Sequence, residues 1–368
     1  MKVLHLLGAT GDDGGILTVI RNLATVGRGK GEEHSVLVNQ GYQETRAPSL
    51  AYRRSRFLVA QCPSHLEMLC RAVPALIELG NLVRREPFDI LHAHSRGALL
   101  VAVGVATLWR RPVLFTNHTY ARRLGLYRWA ARRRHLTTCV LTPNMAKHYG
   151  LRLGPGGVRI ISACCADHFF VEPLREGASP GSPGRVLRLL GLGNIVRWKN
   201  WHLLLGAIRL LTSSERVRVR FDHWGPTPGE PDSVAYAREL ESLLGESGLG
   251  GGCRFHGMSH SVQGALHEAD WFVLPSTNEP CSVALIEALA LGVPAIASAT
   301  GGNVDIIQNG RTGLHFEPES AESLCETLRR ILRGEVSIAA PQEIRESVRS
   351  RGATPVAGAY RSIYEEMS

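Results

Sequence analysis

The chain has 368 residues, of which 44% are hydrophobic and 20% are charged. This length and composition predict a globular protein of two or three domains, and they exclude a disordered tail, a fibrous protein and a small disulfide-stabilised domain. The formal net charge of +9 is divided unevenly, because residues 1–170 hold 23 Lys and Arg against 10 Asp and Glu, while residues 171–368 hold 19 against 23. The resulting excess of +13 in the first part favours a polyanionic partner for that part alone.

Short apolar segments alternate with segments of helical spacing along the chain. This alternation is typical of parallel β-sheets whose strands are joined by crossover helices, so the predicted class is α/β. The predicted strands are Val3–Leu7, His34–Val38, Asp89–Ala93, Val113–Thr116, Thr138–Leu141, Val158–Ser162, Leu187–Leu192, Val217–Asp222, Trp271–Leu274 and Pro294–Ala297. The predicted helices are Ile16–Leu23, Trp201–Leu211, Tyr236–Leu244, Val283–Ala290 and Pro355–Met367.

The segment Glu172–Arg185 contains a run of Pro, Gly and Ser that can continue neither a helix nor a central strand. It predicts a linker between two α/β domains, and the last helix is expected to cross back and brace the first domain. The expected organisation is a first domain at 1–170, a linker at 171–185, a second domain at 186–350 and a returning helix at 351–368.

None of the eight cysteines forms a Cys-x-x-Cys pair or has a zinc-like spacing to histidine. In a chain of this length they predict reduced, mostly buried thiols of a cytosolic protein. The apolar run Gly97–Trp109 is too short to cross a bilayer, which takes about 20 residues, and the apolar N-terminus is too short for a signal peptide. We therefore expect a cytoplasmic protein, either soluble or peripheral on the inner face of the cytoplasmic membrane.

Two carboxylates eight residues apart, Glu279 and Glu287, follow the predicted strand Trp271–Leu274. Ligands of an open parallel sheet bind at the carboxyl ends of its strands, where helix N-termini offer free N–H groups to anions. Two solvated surface carboxylates would have the same spacing. Gly301 and Gly302, at a later turn, permit close approach of the backbone to a ligand and favour a binding site.

Two further turns carry groups suited to a phosphate. Lys199, one of only four lysines, lies between a predicted strand and a predicted helix, where its mobile charge can bind phosphate. Gly14 and Gly15 follow the first strand and open a helix, so their backbone N–H groups can meet a phosphate or a sugar. A solvated loop lysine and an ordinary tight turn are the competing interpretations.

Histidines follow two predicted strands of the first domain, and either His94 or His118 could bond a hydroxyl group. A structural role is the alternative for each of them. No Asp-x-Asp triplet occurs in the sequence, so a metal-chelating diphosphate site of that type is not expected.

Together these motifs resemble the retaining glycosyltransferases of family 4, and the resemblance extends over nearly the whole chain. It implies the GT-B fold, in which two facing Rossmann-like domains contain parallel sheets and a C-terminal helix crosses back to the N-terminal domain. The motifs that carry it are the pair Glu279 and Glu287, the segment Glu287–Pro294, the pair Gly301 and Gly302, Phe255-His-Gly257, Asp89-Ile-Leu-His-Ala-His94 and the final helix.

The resemblance implies transfer of a sugar from a nucleotide diphosphate sugar, which would be the donor substrate, with no cofactor and no metal. His118 and Glu279 are the expected catalytic residues, with Glu279 in contact with the donor sugar. Glu287 is expected to bind the ribose hydroxyls, and Lys199 the diphosphate. The mechanism implied is a front-face displacement, in which the leaving phosphate helps to deprotonate the acceptor hydroxyl.

The remaining donor contacts implied by the resemblance lie on three turns. Gly15 would approach the phosphate from the first domain, and the backbone at Cys281 and Ser282 would contact sugar or phosphate. Asn194 stands where the family usually has Arg, so Arg197 is the candidate replacement for that cation.

Basic residues are mixed with aromatic residues in two segments of the first domain, Tyr52–Phe57 and Tyr120–His135. This mixture suits an anionic membrane surface or a lipid-phosphate acceptor. A solvated Arg-rich face is the alternative, whereas nucleic acid is not expected, because no nucleic-acid-binding motif accompanies the charge.

The sequence thus predicts a retaining glycosyltransferase of cell-surface polysaccharide biosynthesis that acts on a glycan or a lipid-linked acceptor. A sugar-nucleotide epimerase of the same fold would share the donor motifs. A non-catalytic polyanion-binding protein would share the basic first domain. Both alternatives stay open at this point.

Overall fold

A computed structural model of the protein describes residues 1–12, 14–44, 50–62, 64–154, 157–174, 185–246, 248–258 and 261–368. The chain divides into two units, of which one combines Met1–Cys164 with Ala353–Ser368 and the other is Cys165–Gly352. The first break thus comes six residues before the expected end of the first domain. Most of the expected linker, residues 175–184, lies outside the described residues.

The first unit contains a parallel sheet whose strands lie in the order β3-β2-β1-β4-β5-β6-β7. Strand β1 lies between β2 and β4. The chain first adds β2 and β3 on one side of β1 and then adds the later strands on its other side, so the strand order reverses between β1 and β4. The strands are β1 (Lys2–Leu6), β2 (Glu33–Asn39), β3 (Ala51–Ser55), β4 (Ile90–Ala93), β5 (Val113–Asn117), β6 (Leu136–Val140) and β7 (Arg159–Ile160). The helices before the second unit are α1 (Gly15–Arg28), α2 (His65–Arg85), α3 (Arg96–Gly104), α4 (Gly125–Ala130) and α5 (Pro143–Tyr149).

The second unit contains a parallel sheet in the order β10-β9-β8-β11-β12-β13, over a core that includes the fully buried Trp201 and Trp271. Here β8 and β11 are the neighbours at which the order reverses. The strands are β8 (Leu187–Leu192), β9 (Val219–Trp224), β10 (Cys253–Phe255), β11 (Trp271–Leu274), β12 (Ala295–Ser298) and β13 (Gly313–Phe316). The helices are α6 (Trp201–Arg209), α7 (Ser213–Arg216), α8 (Pro231–Glu246), α9 (Val262–Glu268), α10 (Val283–Ala290), α11 (Asn303–Ile306), α12 (Ala321–Leu332) and α13 (Pro341–Ser347).

The last helix, α14 (Ala353–Met367), packs against α1 and belongs to the first unit, as expected from the sequence. Tyr360 and Tyr364 are its largest buried side chains. The Tyr364 hydroxyl lies 2.8 Å from Nδ1 of His92 on β4, so the helix is joined to the sheet by polar contacts as well as apolar ones.

Both sheets are parallel, and helices connect their strands, so both units are α/β. This confirms the predicted fold class. In such sheets, ligands bind at the carboxyl ends of the strands beside the point where the order reverses. The turns after β1 and β4 in the first unit, and those after β8 and β11 in the second, are therefore the positions at which binding groups are expected.

Candidate functional site

The turns after β8 and β11 bring Lys199 and Glu279 together, although 80 positions separate them in the sequence. The Lys199 Nζ donates to Oε2 of Glu279 over 2.6 Å, and both side chains are buried. Ser276 donates to the same oxygen over 3.2 Å. The Lys199 amine also lies 4.6 Å from the centre of the Trp198 ring, so one face of the ammonium is covered by an aromatic surface.

The backbone of Glu279 is held by the turn after β12. Gly302 N donates to the Glu279 carbonyl over 2.7 Å. Gly301 has a φ of +60°, and a Cβ at this position would lie 2.5 Å from the Glu279 carbonyl oxygen. The paired glycines therefore permit close approach of the turn to the backbone of Glu279. Their expected approach to a ligand stays a prediction.

Helix α10 begins at Val283, four residues after Glu279. Ser282 is its N-cap, and the Ser282 Oγ accepts from Leu285 N over 3.2 Å. Cys281 is buried beside this cap, and Glu287 is half-buried on the helix. The start of α10 thus places backbone N–H groups near the buried ion pair, with a second carboxylate farther along the helix.

Asn194 and Arg197 lie on the same connection as Lys199, between β8 and α6. Asn194 is half-buried. Arg197 is exposed, donates to both carboxylate oxygens of Glu239 and lies over the ring of Tyr236, 4.7 Å from its centre. Arg197 thus contacts two residues of α8. Its role as the replacement cation at a diphosphate stays a prediction.

In the first unit, Gly15 is the exposed first residue of α1, at the turn after β1. Its N-cap, Gly14, has a φ of +98°, gives no side-chain cap and would have open space around an added Cβ. The N-terminus of this 14-residue helix is therefore accessible to an anion, and the contact of Gly15 with a phosphate stays a prediction.

His118 follows β5 and is half-buried. Its Nε2 lies 3.1 Å from Nδ1 of His94, which follows β4. Burial lowers the pKa of His118 to about 4, so its imidazole is neutral near pH 7. The two histidines singled out from the sequence are thus in contact with each other.

Several partners of these histidines have no recognisable signal in the sequence. His5 and His34 look like ordinary strand residues, and Glu32 like a solvated loop carboxylate. The structure places His5 between His94 and His34, at 2.8 and 2.9 Å. Counting alternate positions on adjacent parallel strands would have found this row, had the strand order been known.

Three of these imidazoles, on His5, His92 and His94, bring ring nitrogens within 4.8 Å of one another, close enough to hold a metal ion. All six of their ring nitrogens nevertheless have hydrogen-bond partners within 3.1 Å. The 2.8 Å between His5 and His94 is also shorter than the roughly 3.3 Å between two nitrogens on a tetrahedral zinc ion. We therefore assign this cluster to hydrogen bonding.

Two family models match the sequence along most of its length. Residues 177–352 match "Glycosyl transferases group 1", and residues 13–162 match "Glycosyltransferase Family 4". The chain belongs to this glycosyltransferase family. The resemblance predicted from the motifs is thereby confirmed.

Similar proteins agree with this assignment. The chain is 25% identical over 283 residues to the D-inositol 3-phosphate glycosyltransferase of Arthrobacter sp. strain FB24, a match that covers 68% of this chain and 64% of that relative. The chain thus spans less than two thirds of the relative's own length.

Among solved structures, sucrose-phosphate synthase from Thermosynechococcus elongatus superposes with a TM-score of 0.80 at 18% identity, covering 100% of this chain and 99% of that one. Anabaena Alr3699/HepE in complex with UDP-glucose superposes with a TM-score of 0.73 at 16% identity, covering 100% of both chains. These structures show that the fold is GT-B.

Among the residues described, no helix is long and apolar enough to span a bilayer. The eight cysteines are free thiols, and six of them are buried, as predicted.

The basic segment 52–57 largely forms the edge strand β3, where Arg53 pairs with Glu86 at 2.7 Å and Arg54 donates to the carbonyl groups of Gln40 and Tyr42. These two cations are therefore held by the protein's own acceptors.

Proposed function

We propose that this glycosyltransferase moves a sugar, with retention of configuration, from a nucleoside diphosphate sugar to a glycan or lipid-linked acceptor in cell-surface polysaccharide biosynthesis. The observation that carries the proposal is the buried pair of Lys199 and Glu279, which joins the carboxyl ends of β8 and β11 beside the start of α10. A buried cation next to a helix N-terminus is an arrangement suited to a diphosphate.

The leaving nucleoside diphosphate gains negative charge as the glycosidic bond breaks. A cation about 4 Å from this charge contributes on the order of 4 kcal/mol at an effective dielectric near 20. An ammonium has three N–H donors, and Glu279 is the hydrogen-bond acceptor of the Lys199 amine among the described residues. Donors are thus available for diphosphate oxygens, and we propose that Lys199 and the start of α10 provide this stabilisation without a metal ion.

The remaining roles follow the family pattern. We assign Glu287 to the ribose hydroxyls and Glu279 to the donor sugar. His118 is assigned to the reacting sugar and acceptor, where its neutral ring offers one nitrogen as a hydrogen-bond acceptor. The leaving phosphate then accepts the proton of the acceptor hydroxyl on the same face of the sugar. Alr3699/HepE, whose structure contains UDP-glucose, supports a nucleotide sugar as donor.

The test begins with a thermal-shift screen of the purified chain against nucleotide sugars, because a true donor stabilises the folded state by mass action. Glu287→Ala should then abolish transfer from the donor found, while Glu326→Ala, which removes an exposed carboxylate from α12, should leave it unchanged. Full turnover in Glu287→Ala would refute the assignment. Incubation with donor alone tests the epimerase alternative, since epimerised donor without acceptor would replace the transferase proposal.

We further propose that the first unit binds an anionic bilayer through α2. Leu66, Leu69, Val73 and Ile77 are 71, 53, 64 and 62% exposed, and their spacing of three and four residues places them on one face of the helix. Residues 1–170 carry the excess of +13, which complements anionic headgroups.

Flotation with vesicles tests this surface. The chain should float with phosphatidylglycerol-containing vesicles and not with pure phosphatidylcholine, and the double variant Leu69→Gln/Val73→Gln should lose binding. Val217→Gln, which changes a comparably exposed valine of the second unit, is the matched control. Equal flotation of the double variant would contradict the assignment to α2, and equal flotation with both lipids would contradict the role of charge.

A further inference from the structure

A row of four imidazoles crosses the first unit and connects His118 with a single carboxylate. Starting at that carboxylate, Glu32 Oε2 lies 3.2 Å from His34 Nε2, and His34 Nδ1 lies 2.9 Å from His5 Nε2. His5 Nδ1 lies 2.8 Å from His94 Nε2, and His94 Nδ1 lies 3.1 Å from His118 Nε2. Each connection therefore joins Nδ1 of one ring to Nε2 of the next.

The strand registers explain why these side chains meet. His5 is paired with His92 across β1 and β4, and Val3 is paired with His34 across β1 and β2. Paired residues of parallel strands, and residues two apart on one strand, share a face of the sheet. His34, His5 and His94 thus project from the same face, and the side chains of His5 and His94 are almost completely buried.

At the Glu32 end of the row, the direction of hydrogen bonding is fixed. Arg361 on α14 donates to Oε1 of Glu32 over 2.6 Å, while Oε2 faces His34. Burial opposes ionisation of Glu32, but its hydrogen bonds with Arg361 and His34 lower the pKa of the carboxyl below its usual value. An ionised carboxylate can only accept, so the proton of His34 must lie on Nε2.

The same rule then applies along the row. Burial lowers the pKa of His5 and His94 well below the usual value, and it also lowers the pKa of His34, so the rings are neutral near pH 7. A neutral imidazole donates through one nitrogen and accepts through the other. Since His34 Nδ1 must accept, His5 donates through Nε2, then His94 through Nε2, and finally His118 through Nε2.

We propose that Glu32 is a positioning residue that fixes His118 as the Nε2–H tautomer, so that His118 presents Nδ1 as a hydrogen-bond acceptor and selects a ligand group that can donate. This inference rests on the proposed role of His118 at the reacting sugar and acceptor. The Nδ1 atom has no partner among the described residues. A sugar or acceptor hydroxyl satisfies it, whereas an unprotonated phosphate oxygen would face its lone pair.

The variant Glu32→Gln gives a sharp test, because the two oxygens of Glu32 have different partners. Arg361 requires an acceptor, so the glutamine oxygen will face Arg361 and the glutamine NH₂ will face His34. A donor at this end reverses the polarity of every connection in the row. His118 should then carry its proton on Nδ1.

The experiment is NMR of the full chain labelled with ¹⁵N-histidine at neutral pH, which reports the ring nitrogen that carries each proton, with His118 assigned through His118→Gln. We expect Nε2–H in the unmodified protein and Nδ1–H in Glu32→Gln. The control Glu33→Gln, whose exposed carboxylate lies 3.7 Å from the Lys2 amine, should keep Nε2–H. An Nδ1–H tautomer in the unmodified protein overturns the inference whether or not any variant folds, and an unchanged tautomer in folded Glu32→Gln does the same.

Activity provides the second measurement. Reversal at His118 turns Nδ1 into a donor, so a ligand hydroxyl that donated to it must rotate and accept instead, which disrupts its former hydrogen-bond geometry. We therefore expect kcat/KM for the acceptor to fall about tenfold in Glu32→Gln and to stay constant in Glu33→Gln. Full acceptor kcat/KM in a Glu32→Gln protein with the reversed tautomer would refute the selective role of Nδ1. Failure of the proposed function is distinguishable, since it would show as full turnover in Glu287→Ala with the tautomers as expected here.

Discussion

The buried pair of Lys199 and Glu279 permits a test that separates structural from functional roles. Lys199→Met removes the cation and leaves the Glu279 carboxylate buried beside Ser276. Removing one partner of a buried ion pair costs about 3–5 kcal/mol, because the other charge loses its compensation. For a unit of this size, that corresponds to a fall in Tm of roughly 6–20 °C.

The double variant Lys199→Met/Glu279→Gln removes both charges and keeps an acceptor for Ser276. Its expected cost is about 1–3 kcal/mol, the penalty for an unpaired buried amide, so it should be more stable than the single variant. Transfer should not recover with stability. Loss of roughly 4 kcal/mol of electrostatic stabilisation lowers kcat/KM for the donor about a thousandfold in both variants.

Tryptophan fluorescence reports mainly on unfolding of the second unit, because four of the six tryptophans belong to it, namely Trp198, Trp201, Trp224 and Trp271. Arg311→Met, which breaks an exposed 2.9 Å pair with Glu343, is the control and should cost at most about 1 kcal/mol. A Lys199→Met protein no less stable than this control would refute the argument from burial. A double variant that recovers both stability and donor turnover would show that the pair is structural only.

Three further predictions address other parts of the two units. Gly301→Ala should lower donor kcat/KM and reduce the free energy of unfolding by about 1–3 kcal/mol, because the φ of +60° and the contact with Glu279 leave no room for a side chain. Kinetics and chemical denaturation measure the two effects, and wild-type values of both would contradict this prediction. Tyr364→Phe should destabilise the first unit by about 1–3 kcal/mol in denaturant, because it removes a buried partner of His92, and an unchanged midpoint would argue against that bond. The first unit should also lose stability as the pH falls from about 6.5 towards 4, because the pKa of His118 is lowered to about 4 in the folded state, so that the unfolded chain binds the proton first. Denaturant midpoints measured across this range should show less loss in His118→Gln, and an equal loss would count against this account.

The strands and helices that the sequence predicted best have clear chemical boundaries. Leu187–Leu192, Trp271–Leu274 and Val283–Ala290 have the predicted bounds, since each is a mainly apolar segment next to turn residues. Helix α2 was missed because Leu66 and its apolar neighbours face solvent instead of a core, so burial does not generate its pattern. Strand β3 was missed because consecutive arginines conceal an edge strand.

The candidate site was predictable as a set of residues but not as a geometry. Lys199 and Glu279 could each be chosen from a turn beside a predicted strand. Their ion pair depends on β8 being next to β11, which is a matter of strand order and not of local pattern. The row from Glu32 to His118 depends in addition on the register between strands, so isolated histidines in the sequence gave no indication that they formed a chain.

The polar groups around Lys199 and around His118 differ in the charge that they bury, and this bears on the roles proposed for the two residues. The second unit buries a complete ion pair, which retains a full cation that a diphosphate can use. In the first unit, the row from Glu32 to His118 consists of neutral rings and has its charges at one end, on Glu32 and Arg361, so His118 can act only as a directed dipole. The excess of +13 in residues 1–170 therefore does not reside in this buried row.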